Sequence, residues 1–273
     1  MNKYRAYLEE HNLLPNTIDA YCYDLKRLIS YLSLIELELV DVSPKIVTKY
    51  ISDLGGSGTR KKRCLASISS YFNYLVETEI ISINPVAGIR RPRVKLLDPN
   101  WLQVYEVERV RETCPDIFKV IVDTFYLTGI RLEELRTCRL GTLDLQGKQL
   151  KVIGKGEKPR YVPFPQSLAN LFETYLETRN PSPSFENYLF LTERGKPYTR
   201  NQLEYIMVKL SKISGITVRP HILRHSFATH AIEKGMSRQS VQKVLGHVSV
   251  STTDWYVHIE PNVRSEYDTA FPR

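Results

Sequence analysis

Apolar side chains in the first third of the chain recur every three to four positions. Ile18, Tyr21, Leu25, Leu28 and Leu32 fall on one face of a helix, and Asn16-Thr17-Ile18-Asp19 reads as its start, a capping residue with an acid three positions on. Ser43-Pro44 predicts a second start, a hydroxyl cap followed by proline in the first turn, ahead of Ile46, Val47, Tyr50 and Ile51. Gly55-Gly56-Ser57-Gly58 reads as a flexible connection. Beyond it, Leu65, Ile68, Phe72 and Leu75 line a further helix whose first turn carries Arg60, Lys61, Lys62 and Arg63. Four antiparallel helices account for residues 1 to about 82.

Residues 84–99 break the pattern, with prolines at 85, 92 and 99 and a basic run of Arg90, Arg91, Arg93 and Lys95. Such a segment suits either a strap laid along a phosphate backbone, where its cations displace counterions, or a solvated interdomain loop. Helical spacing returns over 100–137, where Ile121, Phe125 and Leu127 are apolar and Gly129 is a terminator. The period then changes. Leu143 and Leu145, Leu150 and Val152, and Tyr161 and Val162 predict short strands around turns at Gln146-Gly147 and Gly154-Lys155-Gly156-Glu157. Helices are predicted again at about 166–179, 199–213, 222–234, 238–245 and 250–257, whereas the stretch from Pro261 to Arg273 shows no clear period. The fold class is therefore mainly α with a small antiparallel β-sheet. Its parts are a helical domain at 1–83, a basic linker at 84–99 and an α+β domain at 100–273.

The chain has 273 residues, of which 42% are hydrophobic and 25% charged, an ordinary globular balance that excludes disordered and repetitive classes. The apolar run around Ile117–Leu127 is cut by Lys119 and Asp123, well short of the roughly 20 apolar residues of a membrane span. The opening residues lack the apolar stretch of a secretory signal, and Cys22, Cys64, Cys114 and Cys138 have no metal-ligand spacing. A cytoplasmic protein with reduced thiols is expected. A formal charge of +8 admits a polyanionic partner without requiring one.

Candidate chemistry is confined to the second domain. Pro220 sets a helix start that carries His221, Arg224 and His225, so amides, imidazoles and a guanidinium can converge on an anion; each histidine taken singly also fits a surface or core position. Arg131 follows the break at Gly129, with Glu134 one turn later, either a braced phosphate clamp or a surface ion pair. Lys155 between two glycines reads as a solvated turn residue or as a proton donor entering a groove. Leu245-Gly246-His247 ends one helix, and Tyr256 lies in the next. A tyrosine hydroxyl is a poor nucleophile near neutrality unless cations polarise its electrophile, and with 17 tyrosines packing is the default role for any one of them.

Taken in order, TGIRLEEL, GKGEKPRYVP, HILRHSFATH, LGH and STTDWYVH resemble the motifs of the tyrosine recombinases, the integrase family that includes the Xer proteins. The likeness is specific in the second domain; in the first, helix number and length match a core-binding domain. What the resemblance implies is a site-specific recombinase that cleaves and rejoins DNA through a 3′-phosphotyrosine and a Holliday junction. Arg131, Lys155, His221, Arg224, His247 and Tyr256 would form the catalytic set, with Glu134 bracing Arg131. Arg60, Lys61, Lys62, Arg63, Arg90, Arg91 and Arg93 are candidate DNA contacts. The implied partners are double-stranded DNA with inverted half-sites, three further copies in a tetramer on two sites, and accessory DNA-binding proteins; no membrane, metal or cofactor is expected. The lack of an extra N-terminal arm-binding domain points away from the large arm-site integrases. The segment beyond His258, with Tyr267, Ala270 and Phe271, is either a docking element for a neighbouring subunit or a frayed end. A type IB topoisomerase would use similar chemistry, and a DNA-binding protein without catalysis would need only the basic segments.

Overall fold

The computed structural model describes residues 1–90, 101–154, 158–246 and 260–272. The chain divides into two compact units, Met1–Leu97 and Asp98–Arg273, each with its own apolar core.

The first unit is built from α1 (Asn2–Glu10), α2 (Pro15–Leu34), α3 (Pro44–Asp53) and α4 (Gly58–Glu77). Leu25, Leu28, Val47 and Ile68 are completely buried where α2, α3 and α4 meet. Removing such side chains from water is the principal force joining the helices. The start of α2 departs from the expected cap at Asn16. Pro15 occupies the first turn and Leu14 precedes it. Proline has a helical φ already fixed and lacks an N–H that would in any case go unpaired there, so the helix starts two residues earlier. Pro44 opens α3 as predicted and Ser43 takes the cap position, but its hydroxyl makes no capping hydrogen bond. The glycine-rich connection is shorter than expected, because Ser57 accepts a hydrogen bond from the Arg60 amide and draws Gly58 into α4.

Between α2 and α4 the buried Asp24 accepts hydrogen bonds from Arg63 at 3.1 Å and from the Ser67 hydroxyl at 3.1 Å. The following segment is anchored by Asn84, whose amide donates to the Ser69 carbonyl at 3.1 Å and to the Asn73 side chain at 2.6 Å.

The second unit surrounds α6 (Asp116–Thr128), buried continuously from Val120 to Thr128. Its one buried acid, Asp123, takes two hydrogen bonds from Arg111 of α5 (Val104–Glu112), at 2.6 and 2.8 Å. Burial of that charge is tolerated because it is paired and its oxygens are satisfied. Gly129 ends α6 with φ 61°, and a Cβ there would come within 2.6 Å of Phe227, so glycine is required both for the turn and for the packing.

After the short α7 (Leu132–Thr137) comes an antiparallel sheet of β1 (Leu143–Asp144), β2 (Gln149–Ile153) and β3 (Pro159–Pro163), in the order β1-β2-β3. Leu150 pairs with Leu143 on one side and Val162 on the other. Leu150, Val152 and Val162 turn inward, the alternation of a half-buried sheet. The helices α8 (Gln166–Thr178), α9 (Arg200–Ser214), α10 (Pro220–Glu233) and α11 (Arg238–Leu245) complete the body of the unit. The helix expected at 250–257 lies outside the described residues.

The end of the chain corrects the expectation from periodicity. Pro261–Ala270 forms α12, and Val263, Tyr267, Ala270 and Phe271 are buried in the unit's own core. The Tyr267 hydroxyl donates to the Leu127 carbonyl at 2.7 Å, and the Phe271 and Phe227 rings stack with centroids 5.5 Å apart. Four apolar positions among charged neighbours make a weak periodic signal; the helix owes its burial to Phe227 and α6, which are distant in sequence. All four cysteines are free and buried. Among the described residues no helix is long and apolar enough to cross a membrane.

Candidate active site

Three arginines from three different elements grip the end of α11. Arg160 of β3 donates through Nε to the Val244 carbonyl at 2.7 Å. Arg224 of α10 donates through Nη2 to the Leu245 carbonyl at 2.8 Å, and through Nη1 to the carbonyl of Gly129. Arg131, just ahead of α7, donates through Nη2 to the Gly246 carbonyl at 3.4 Å. The final carbonyls of a helix have no partner within it and carry the negative end of its dipole, so they suit cationic donors. Gly246 closes α11 in the left-handed conformation, and His247 follows it in the sequence.

Beneath this grip lies Glu134. Its Oε1 accepts from Arg131 Nη1 at 2.8 Å and from Arg160 Nη1 at 2.7 Å; its Oε2 accepts from the Arg131 amide at 2.7 Å and from Arg160 Nη2 at 2.8 Å. Only 4% of the Glu134 side chain is exposed. Burial works to raise its pKa, but the hydrogen bonds and charge of Arg160, joined by those of Arg131, outweigh it and hold the carboxyl down at about 2. The cluster therefore sets three guanidiniums against one carboxylate. Arg224 registers the imbalance. Burial first, then the charges of Arg131 and Arg160, push it down to about 10, against the pull of Glu134. It remains protonated at neutral pH, and the surplus of positive charge in a partly desolvated place favours an anion.

His221 lies in the first turn of α10 and is exposed, as is His225, whereas Arg224 is buried. The three neighbours do not share one buried face. Partial burial of its ring, then the charges of His225, Arg224, Arg200 and Arg131, hold His221 below its ordinary pKa. It is neutral at pH 7 and able to accept a proton.

The structure thus joins Arg131, Glu134 and Arg224 and places His221 within their electrostatic reach. Lys155, His247 and Tyr256 lie outside the described residues, as do Arg91 and Arg93. Arg90 is exposed. On α4, Lys62 is exposed, but Lys61 donates to the Ser52 carbonyl at 2.6 Å and Arg63 pairs with Asp24. Two of the four basic residues expected to meet DNA therefore also hold their own unit together.

The sequence pattern does not single out Arg160, although it lies within the GKGEKPRYVP segment. Its signal is weak because its partners are 26 and 84 positions away. Among the described residues no group of three or more His, Cys, Asp or Glu has the arrangement of a metal site.

A helical domain followed by a second, mainly helical domain with a small antiparallel sheet is the fold of the integrase class. The phage integrase family profile matches residues 100–262, and the N-terminal SAM-like domain of phage integrases matches residues 1–79. The chain belongs to the phage integrase family, and its enzyme class is that of the tyrosine recombinases. Tyrosine recombinase XerD of Staphylococcus saprophyticus is 32% identical over 292 aligned residues, covering 100% of this chain and 98% of that protein. Tyrosine recombinase XerC of Leptospira interrogans is 29% identical over 99% of this chain and 92% of its own length. Among solved structures, a lambda integrase (75-356) dimer bound to a COC′ core site has the same fold, with a TM-score of 0.75 at 19% identity, over 91% of this chain and 93% of that one. The XerH site-specific recombinase bound to difH substrate in a pre-cleavage complex gives a TM-score of 0.72 at 21% identity, over 90% of this chain and 79% of that one.

Proposed function

We propose that this chain exchanges strands between two specific DNA sites by forming a 3′-phosphotyrosine on Tyr256. The observation that carries the reading is the convergence of Arg131 and Arg224 beside α11 with, among the described residues, one carboxylate, Glu134, set against them. A scissile phosphodiester brings one negative charge, and attack places more on its nonbridging oxygens. Arg131 and Arg224, joined by His247, stabilise that charge by preorganised electrostatics. The Tyr256 oxygen bonds to phosphorus as the bond to the 5′-oxygen breaks. The phenolic proton passes to His221, neutral at pH 7, and Lys155 protonates the departing 5′-oxygen, which leaves as a hydroxyl. The phosphotyrosine conserves the energy of the broken bond, so attack by the 5′-hydroxyl of a partner strand reseals it without a nucleotide.

In this reading residues 1–83 form the core-binding domain, 84–99 the basic strap and 100–273 the catalytic domain. Four copies act on two sites with inverted half-sites and pass through a Holliday junction, with accessory proteins able to set the direction. The tetramer is supported by the fold shared with a lambda integrase tetramer bound to a Holliday junction, at a TM-score of 0.74 and 18% identity. The work is done in the cytoplasm.

The leaving-group step gives the test. On a nicked suicide duplex, Lys155→Ala should cleave about 100-fold or more slower than wild type when the bridging atom is oxygen. With a bridging sulfur, which departs without a proton, the difference should largely vanish. Equal slowing on both substrates removes Lys155 as the acid, and no adduct from the wild-type protein on its confirmed site contradicts the function itself.

The basic segments give a second expectation. Replacing Arg90, Arg91 and Arg93 together should flatten the dependence of affinity on salt, by somewhat less than one unit of slope for each phosphate that the variant no longer neutralises. An unchanged slope would show that the segment stays in solvent.

A further inference from the structure

Arg160 is the one member of the arginine cluster to which the cleavage chemistry assigns no role. Only 13% of its side chain is exposed, and its planar fork is fully engaged: two nitrogens on the two oxygens of Glu134 and the third on the Val244 carbonyl. Those contacts join the elements that carry the reacting groups. Glu134 fixes Arg131; the end of α11 leads into His247; and β3 is the return strand of the hairpin whose loop carries Lys155.

The base of that loop also rests on Arg160. The Gly154 amide donates to the Lys158 carbonyl at 2.9 Å, and a Cβ at Gly154 would lie 3.4 Å from Arg160 Nη1 and 3.7 Å from Glu134 Oε1. On the opposite side, a Cβ at Gly246 would come within 3.0 Å of the Arg160 Cδ, Nε and Nη1 atoms. Gly246 therefore leaves the guanidinium the space it fills, and the Gly154 backbone lies within ordinary contact of it.

We propose that Arg160 is a positioning residue, a clasp that sets Arg131, through Glu134, and the end of α11 in one register around the scissile phosphate. The inference rests on the recombinase reading, in which Arg131 and His247 meet that phosphate. Three directed donors are needed for the clasp. Lysine has the charge and the reach but one nitrogen, so it holds Glu134 or Val244 without fixing the angle between them.

The experiment measures single-turnover cleavage of a nicked suicide duplex by the full chain and its Arg160→Lys and Arg160→Gln variants. One substrate carries the natural phosphodiester at the scissile position and the other a methylphosphonate, which lacks the charge that Arg131 and His247 are placed to neutralise. Thermal melting and site binding are measured alongside. The expected result for Arg160→Lys is a folded protein that binds its site within about twofold of wild type and cleaves the phosphodiester about 100-fold slower, the cost of a small misplacement in a preorganised site. On the methylphosphonate its deficit against wild type should shrink to a few-fold, and Arg160→Gln should show the same pattern more strongly. Equal deficits on both substrates, cleavage at the wild-type rate by Arg160→Lys, or failure of both variants to fold would each overturn the proposal, the last by making the residue purely structural. Failure of the wild-type chain to cleave either substrate would instead strike the recombinase reading.

Discussion

Tyr256→Phe should bind its DNA site as tightly as wild type and form no covalent adduct on a nicked suicide duplex. The substitution removes one oxygen, the only atom the reading assigns to bond formation. Arg131 and Arg224 are untouched, and the described structure holds each through backbone carbonyls or Glu134. Binding and chemistry should therefore separate completely. A phenyl ring offers phosphorus no nucleophile, so the loss should be total within the sensitivity of denaturing electrophoresis, and peptide mapping of the wild-type adduct should place the nucleotide on Tyr256. An adduct that survives the substitution would move the nucleophile to another residue.

The second large effect belongs to Glu134. Its carboxyl is held at about 2, against 4.5 for an unperturbed glutamate. A depressed carboxylate contributes stability that is fully present above its unfolded-state pKa and is lost as pH falls through the folded value. Here that window runs from about 4.5 down to about 2, and the contribution at neutral pH is on the order of 3 kcal/mol. Glu134→Gln keeps the shape and one acceptor but leaves three guanidiniums without an anion. At pH 7 the unfolding free energy of the second unit should drop by about 3 kcal/mol, in line with removing one partner of a buried ion pair. The difference from wild type should narrow steadily from pH 4.5 down to about 2, where the unfolded carboxyl takes up a proton that the native one still refuses. Cleavage should fall about 100-fold at a temperature where the variant is folded, because Arg131 loses the group that aims it. A constant difference in stability across that pH range would show that Glu134 is not held by its charge.

Much of this is legible in the sequence because the signals are local. Arg131 and Glu134 are three positions apart at a helix start, and i to i+3 spacing already brings their side chains together. Gly129 and Gly246 announce helix ends, and both take the left-handed conformation there. The strands around Gln146-Gly147 are legible from alternation, and the structure pairs them Leu143 to Leu150 and Leu150 to Val162.

The features that sequence does not reveal have long-range causes. Arg160 alternates correctly within a strand and gives no hint that its guanidinium reaches Glu134 and Val244. Arg63 resembles a phosphate contact in the sequence, yet Asp24, 39 positions away, holds it. The helix α12 carries too few apolar residues to declare itself, and its burial depends on Phe227 and the Leu127 carbonyl. Residue 16 has the chemistry of a cap, but the proline before it already opens the helix.

The most direct measurement uses one supercoiled DNA carrying two copies of the cognate site, incubated with the protein, EDTA and no ATP, with candidate accessory proteins supplied. Strand exchange by the arginine, histidine and tyrosine set should yield recombinant circles and a Holliday-junction intermediate. Relaxation of supercoils with no recombinant, on a site shown to be bound, would contradict strand exchange and leave a nicking-closing enzyme in its place.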